Sequence, residues 1–592
     1  MINALKGAPQ LLGLSRRRFI TGLSALGVAV TTPLLSASAK VLQNPQRSQV
    51  LTGNQFDLSI AYQSVNFTGK ERIATVVNGS LPAPVLRWRE GERVTLRVTN
   101  HLAHDTSLHW HGLILPSDMD GVPGMSFAGI KPGETFIYQF DVKQSGTYWY
   151  HSHSGFQEQS GLYGAIVIDS AEPEPFSYDR DYVVLLSDWS DEKPERIYAN
   201  LKKMSHYYNR QERTASDLWQ EIQHKGVAQT WQDRSMWNQM RMSDRDLADV
   251  TGETYTYLMN GNTPDDNWQA VFNRGEKIRL RFINGSAMSI FDVRIPGLKM
   301  TVVAADGQAV EPVTVEEFRI GTAETYDVIV EPSAEQAYTL FAQSIDRSGY
   351  ARGTLTPDLN LAAKVPVMDE LQPLGHREMG MAGMTMAAAE MKSHDMMDHG
   401  HHKMHDMSAM KKSNRGAVHH AATEFGPQVD MRVEQPVDGV ADPGFGLRNN
   451  GRRVLSYADL RNLYPTEDQR QPGRDIELHL TGNMMRYMWS MDGIKFADAE
   501  PLHLRYGERV RITLVNDTMM AHPIHLHGMW SELETGDVGY LPRKHTVLVQ
   551  PGAKISYQVS ANALGVWAYH CHLLYHMPGM ARKVVVSEGA VS

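Results

Sequence analysis

Three ten-residue segments recur along the chain, and they constrain the fold more than any other feature. Residues 91–100, 275–284 and 507–516 read GERVTLRVTN, GEKIRLRFIN and GERVRITLVN. In each, a glycine turn leads into apolar and polar residues alternating with period two, the pattern of a half-buried strand. Each copy follows a short turn, Asn78-Gly79, Asn260-Gly261 or Asp492-Gly493, of the kind that favours tight hairpins. The first and third copies share a second block. Pro132-Gly133 leads to GTYWYH ending at His151, and Pro551-Gly552 leads to GVWAYH ending at His570. The middle copy keeps strand-like stretches at 323–332 and 338–344 but carries no histidine there, and it reads as a structural spacer. Short strands, regular turns and three copies predict an all-β chain of three tandem Greek-key β-sandwiches.

The predicted organisation is a signal at 1–39, a first sandwich at 40–172, a second at 173–350, an insertion or linker at 351–430 and a third sandwich at 431–592. The signal rests on Ser15-Arg16-Arg17-Arg18-Phe19-Ile20, an apolar run from Leu23 to Leu35, and Ala37-Ser38-Ala39 as a small-residue cleavage site. It predicts a chain handled by the twin-arginine export machinery and delivered to the periplasm. The run is too short, and too rich in Gly, Ser and Thr, for a comfortable membrane helix. No later stretch approaches the ~18 apolar residues of a span. With 58 basic against 67 acidic residues the net charge is −9, so no nucleic-acid footprint is expected.

The chain has one Cys and 25 His. A lone cysteine excludes an intrachain disulfide framework and thiolate-clustered zinc or iron–sulfur sites. Ten histidines fall in four short windows: His109-Trp110-His111, His151-Ser152-His153, His522-Pro523-Ile524-His525-Leu526-His527, and His570-Cys571-His572 with His576 and Met580 beyond. On a strand, His-x-His turns both imidazoles to one face, where they can grip one metal or two adjacent ones. Cys571 then faces the other way, so its sulfur can hold one metal while the flanking imidazoles hold others. His522, Cys571 and His576 with Met580 make a His₂Cys set with a weak axial thioether, the donor set of a blue copper site. The other eight histidines form four His-x-His pairs, two from each terminal repeat. Together they predict a cluster between those two domains. A zinc hydrolase would need about three protein ligands and an open position, not this many. His101, His104, His206, His224, His479, His503 and His545 lie outside the windows and are read as ordinary surface or core residues.

On these motifs the sequence resembles the multicopper oxidases along its whole mature length. The wording HCHLLYHM from His570 and the loop Asp118–Met125, DMDGVPGM, resemble the family's periplasmic copper-resistance branch. The resemblance implies cupredoxin-like sandwiches and about four coppers. It implies a type 1 copper at His522, Cys571, His576 and Met580, and a type 2 copper at His109 and His525. A type 3 pair would take His111, His151, His153, His527, His570 and His572. It further implies oxidation of a one-electron donor at the type 1 site, coupled to reduction of O₂ to water. Asp120 matches an acidic residue that assists proton delivery in related bacterial oxidases. One departure stands out: the family's axial methionine usually lies one residue further from its histidine than Met580 lies from His576, leaving Met577 as the alternative.

Between the second and third copies, residues 376–410 hold ten Met and six His among small and acidic residues. Soft thioethers select Cu(I), so this stretch, with Met484-Met485-Met488-Met491 and Met236-Met240-Met242, is a candidate collector of substrate copper. The alternative for the last two groups is core filling by flexible Met. The expected activity is oxidation of Cu(I), with phenols as a further donor. Periplasmic copper-handling proteins are the expected partners. A laccase-like phenol oxidase and a non-catalytic copper-sequestering protein are the alternatives.

Overall fold

The computed structural model describes residues 49–211, 213–240, 243–375, 377–380 and 418–589. The signal at 1–39 and most of the Met/His-rich stretch, 381–410 with His376, lie outside the described residues. Three cupredoxin-like sandwiches follow one another, built from sheets of four and five, six and five, and seven and five strands.

The three repeated segments hold the same place in each sandwich. Arg93–Asn100, Ile278–Asn284 and Arg509–Asn516 each lie between one parallel and one antiparallel neighbour. The parallel neighbours are Gln55–Val65, Arg180–Trp189 and Arg474–Asn483. The antiparallel ones are Thr135–Asp141, Thr325–Val330 and Ala553–Ser560. The expected hairpin turns carry positive φ at both central residues: 50° and 72° at Asn78-Gly79, 50° and 73° at Asn260-Gly261, 53° and 70° at Asp492-Gly493. That backbone twist matches the strands it joins.

The asparagine ending each repeat does the same job three times. Asn100 Nδ2 donates to the carbonyls of His104 and Ile130, and its Oδ1 accepts from Leu102 N. Asn284 bonds Ser289 O, Ile320 O and Ser286 N in the same way. Asn516 bonds Met520 O, Val549 O and Thr518 N. Each Asn thereby pins the loop leaving its strand. In the first and third sandwiches those loops run into His109 and His522.

Arg93–Asn100 shows the alternating burial its pattern predicts, whereas Ile278–Asn284 is buried throughout. Its polar face is covered because Arg281 reaches across to Thr147 of the first sandwich, 2.9 Å away, and pairs with Asp181 at 2.6 Å. Three α-helices, Pro194–Lys203, Ala215–Lys225 and Val227–Met240, interrupt the middle sandwich, which the all-β reading did not anticipate. The middle sandwich also continues past residue 350, its strand Tyr350–Thr356 pairing with Trp268–Val271 and Tyr338–Ser344. Met379, the first methionine of the Met/His-rich stretch, is 2% exposed and packs within the core. Among the described residues no helix is long and apolar enough to cross a membrane.

Candidate metal centres

Strands of the first and third sandwiches position the histidine pairs: His109 and His111 lie on one strand, whereas His153, His527 and His572 lie just past the ends of the strands that carry His151, His525 and His570. His109 sits opposite His151 in the His109–His111/Gly146–His151 ladder, and His525 opposite His570 in the His522–Leu526/Gly565–Cys571 ladder. The eight rings converge. His111 stacks on His525 with centroids 3.8 Å apart, and His109 lies 4.1 Å from His527. Their nitrogens form triads: His111, His151 and His572; His153, His527 and His570; and His109, His111 and His525. His527 Nε2 and His570 Nε2 are 3.0 Å apart, and His572 Nε2 and His151 Nε2 are 3.3 Å apart.

The outer ring nitrogens are anchored. Nδ1–H groups donate from His109 to Asp120 O (2.8 Å), from His527 to Asp120 Oδ2 (2.9 Å) and from His525 to His545 O (2.6 Å). His570 Nδ1 bonds Cys571 O at 3.0 Å, and His151 Nδ1 lies 2.6 Å from Glu158 Oε2. By contrast, the buried His109 Nε2, His111 Nδ1, His153 Nε2, His525 Nε2 and His572 Nδ1 have no hydrogen-bond partner. Leaving that many buried nitrogens unmet is costly. Burial and neighbouring imidazoles hold His111, His151, His153, His525, His527 and His572 well below the usual imidazole range, and burial brings His570 to about 4. Neutral, outwardly anchored imidazoles with free inner lone pairs are what a metal requires. The donor set fits imidazole-bound copper.

The lone thiol forms a second, three-donor site. Cys571 Sγ lies 3.6 Å from His522 Nδ1 and 3.9 Å from His576 Nδ1, and those two nitrogens are 3.3 Å apart. Burial pushes the Cys571 thiol far up, so a thiolate here needs a cation, and a coordinating metal deprotonates a thiol outright. His522 Nε2 bonds Thr518 Oγ1 at 2.6 Å, and His576 Nε2 bonds Asp249 Oδ2 at 2.6 Å. Tyr487 donates to the same Asp249 oxygen, and burial raises that carboxyl to about 7 against this bond. Trp489 stacks on His576 at 3.9 Å. Met580 is fully buried and its carbonyl accepts from Cys571 N at 2.9 Å, while Met577 is half-buried. Because Cys571 alternates with its neighbours, His570 joins one buried triad of the cluster and His572 another.

Four contributors escape the sequence reading. His545, taken there as ordinary, lies with Nδ1 3.2 Å from His111 Nε2. Asp249 comes from the middle sandwich, so that copy is more than a spacer. Glu158 and Trp489 carry no local motif. The methionine groups divide. Met484 and Met491 are core residues, Met488 is half-buried and Met485 is 52% exposed on the same hairpin as Trp489. The side chains of Met236, Met240 and Met242 lie outside the described residues.

Profiles of the multicopper oxidase family match residues 59–173, 213–360 and 469–590. The chain belongs to the multicopper oxidase family, oxidoreductases that use O₂ and copper. Within it, the chain is 54% identical to Copper resistance protein A of Escherichia coli, over 98% of this chain and 100% of that one. It is likewise 54% identical to the Copper resistance protein A homolog of Pseudomonas syringae pv. tomato, over 97% and 99%. The crystal structure of Fet3p, a multicopper oxidase that functions in iron import, shares the fold at 18% identity with a TM-score of 0.62, covering 90% of each chain.

Proposed function

We propose that this chain is a periplasmic copper-resistance oxidase that removes electrons from Cu(I) and delivers them to O₂. His522, Cys571, His576 and Met580 would hold a type 1 copper. His109 and His525 would hold a type 2 copper, and His111, His151, His153, His527, His570 and His572 a type 3 pair. When bound, the coppers supply one-electron redox chemistry at the thiolate site and four-electron reduction of O₂ to water at the cluster. The observation that carries this reading is the run His570-Cys571-His572, which ties both donor sets together through a few covalent bonds. Met580 is preferred over Met577 because it is buried and bonded to the Cys571 backbone.

The chain's own residues prepare both ends. Thr518 and Asp249 fix the outer nitrogens of His522 and His576, and Trp489 covers the face of His576. Met485 and Met488 offer soft donors beside that tryptophan, suited to approaching Cu(I). Asp120 holds the His527 Nδ1–H through Oδ2 and keeps Oδ1 without a hydrogen-bond partner. Oδ1 is the atom that would take up and pass on a proton. The twin-arginine signal and periplasmic copper-handling partners belong to this reading on the sequence alone.

The test is oxygen uptake by the copper-loaded protein with Cu(I) or a phenol as donor, before and after deleting residues 381–410. Uptake with Cu(I), slowed by the deletion, is expected. Uptake with phenol alone would make the protein a laccase, and no uptake with either donor would leave only copper sequestration.

A further inference from the structure

Besides the donors of both centres, the third sandwich holds another tight group of metal-type donors. His420 and Glu424 lie on the segment at 418–425, His479 on the strand Arg474–Asn483, and Asp517 just beyond Arg509–Asn516. His420 Nδ1 is 2.7 Å from Glu424 Oε2 and 3.8 Å from Asp517 Oδ2. His479 Nδ1 is 2.6 Å from Asp517 Oδ2 and 3.5 Å from Glu424 Oε2. Side chains of all four are at least nine-tenths buried, with exposures of 6%, 2%, 1% and 0% for His420, His479, Glu424 and Asp517.

Each donor is set for the task by a bond on its far side. Glu424 Oε1 accepts from Ala421 N at 2.9 Å, which turns Oε2 inward. Asp517 Oδ1 accepts from Val433 N at 2.8 Å, which turns Oδ2 inward. His479 Nε2 lies 3.3 Å from Glu477 Oε1, the carboxylate–imidazole pairing that orients metal-binding histidines.

His420 faces the carboxylates through Nδ1, and its other ring nitrogen, Nε2, is buried without a hydrogen-bond partner. Several other buried carboxylates in the chain have a basic partner. Asp292 has Arg319 and Arg347, Asp327 has Arg279 and Arg281, and Asp306 has Lys544. Among the described residues no lysine or arginine forms an ion pair with Glu424 or Asp517, which face only imidazoles.

We propose that His420, His479, Glu424 and Asp517 form an additional site for a borderline divalent cation, Cu(II) or Zn(II), separate from the oxidase centres. Ligands about 2.0–2.2 Å from a tetrahedral ion sit a little over 3 Å from one another, within the range of the four separations. Two carboxylates would balance a dication that displaces the proton His479 otherwise holds, its pKa raised against burial by Asp517 to about 9, and these nitrogen and oxygen donors disfavour Cu(I), which prefers sulfur. Bound there, the ion would clamp the 418–425 segment to the sandwich. The argument rests on these donors and stands whether or not Cu(I) is the oxidase substrate.

The test uses full-length, copper-loaded protein titrated with Cu(II) and, separately, with Zn(II), for the parent, His420→Ala and Glu424→Gln. Bound ions are counted by native mass spectrometry. The parent is expected to bind one ion more than either variant, so that the Met/His-rich stretch cancels in the comparison. Added Zn(II) should raise the melting temperature of the parent alone, and a Cu(II) resonance with nitrogen splitting should be absent from both variants. Blue absorption and oxygen uptake serve as the folding control and should be the same in all three proteins. Equal ion counts in parent and variants with that control intact would overturn the site. So would variants that melt lower while Zn(II) shifts none of the three, which would make the cluster an ion-pair bridge. Saturation by Zn(II) but not Cu(II) would overturn the copper assignment.

Discussion

Gly112 follows the first histidine pair at φ +83°, and a Cβ there would lie 2.3 Å from Cδ2 of His545. Gly112→Ala therefore drives the His545 ring toward His111. Oxygen reduction is expected to fall about tenfold or more, while the blue absorption of the thiolate site stays. Loss of both signals together would mean general unfolding rather than a local push. Asp249→Ala strips the outer partner from His576, and removing such a partner typically costs about 10–100-fold in metal affinity or activity. Here it should shift the visible band and reduction potential, with donor oxidation slowed; an unchanged potential would refute the positioning role. Ten histidines and Cys571 were legible because His-x-His has a face and the thiol has no rival. His545 and Asp249 were not, because their partners lie 434 and 327 positions away, and Glu158 and Trp489 were not, because neither belongs to a motif.

At the scale of elements, the asparagines ending the three repeats explain why the segments resemble one another at all. The alternation alone would make a strand, but the final Asn fixes where the following loop goes. Asn516→Ala removes four buried hydrogen bonds and strands two carbonyls, at about 1 kcal/mol for each bond lost. A loss of about 2–4 kcal/mol in denaturant unfolding is expected, together with weaker copper retention at the site containing His522. A cost below about 0.5 kcal/mol would show that the loop holds itself. The repeats and their turns were readable from periodicity and Asn-Gly or Asp-Gly pairs. The fully buried strand Ile278–Asn284 was not, since Arg279 and Arg281 look solvent-facing until other parts of the fold cover them. The helices at 194–240 left one readable trace, Thr214 with Asp217 capping Ala215–Lys225.

Across the whole molecule, the middle sandwich joins the third through Lys544, which is fully buried between Asp306 at 3.0 Å and Glu324 at 3.1 Å. Asp306 also accepts from the backbone N–H groups of His545 and Thr546, so the joint and the histidine cluster share a strand. Lys544→Ala leaves two buried carboxylates without their cation, and breaking such a pair costs about 3–5 kcal/mol. Lys544→Ala combined with Asp306→Asn should recover part of that loss. If the double variant is no more stable than the single one, the lysine acts through packing instead. The three-sandwich plan and the two terminal copper-motif domains could be anticipated from the repeats. The middle domain's contribution could not, because it has no metal-ligand motif of its own.

The contact between Asp120 and His527 spans 407 residues of chain, and that between His111 and His545 spans 434. A nascent polypeptide can fold its first sandwich early, yet His525, His527, His570 and His572, which complete the triads shared by the two end sandwiches, are still inside or behind the ribosome at that time. Truncated or stalled chains end with partial donor sets that cannot enclose the ions. The shared donor sets are thus complete only when the first and third sandwiches have both been made and have met.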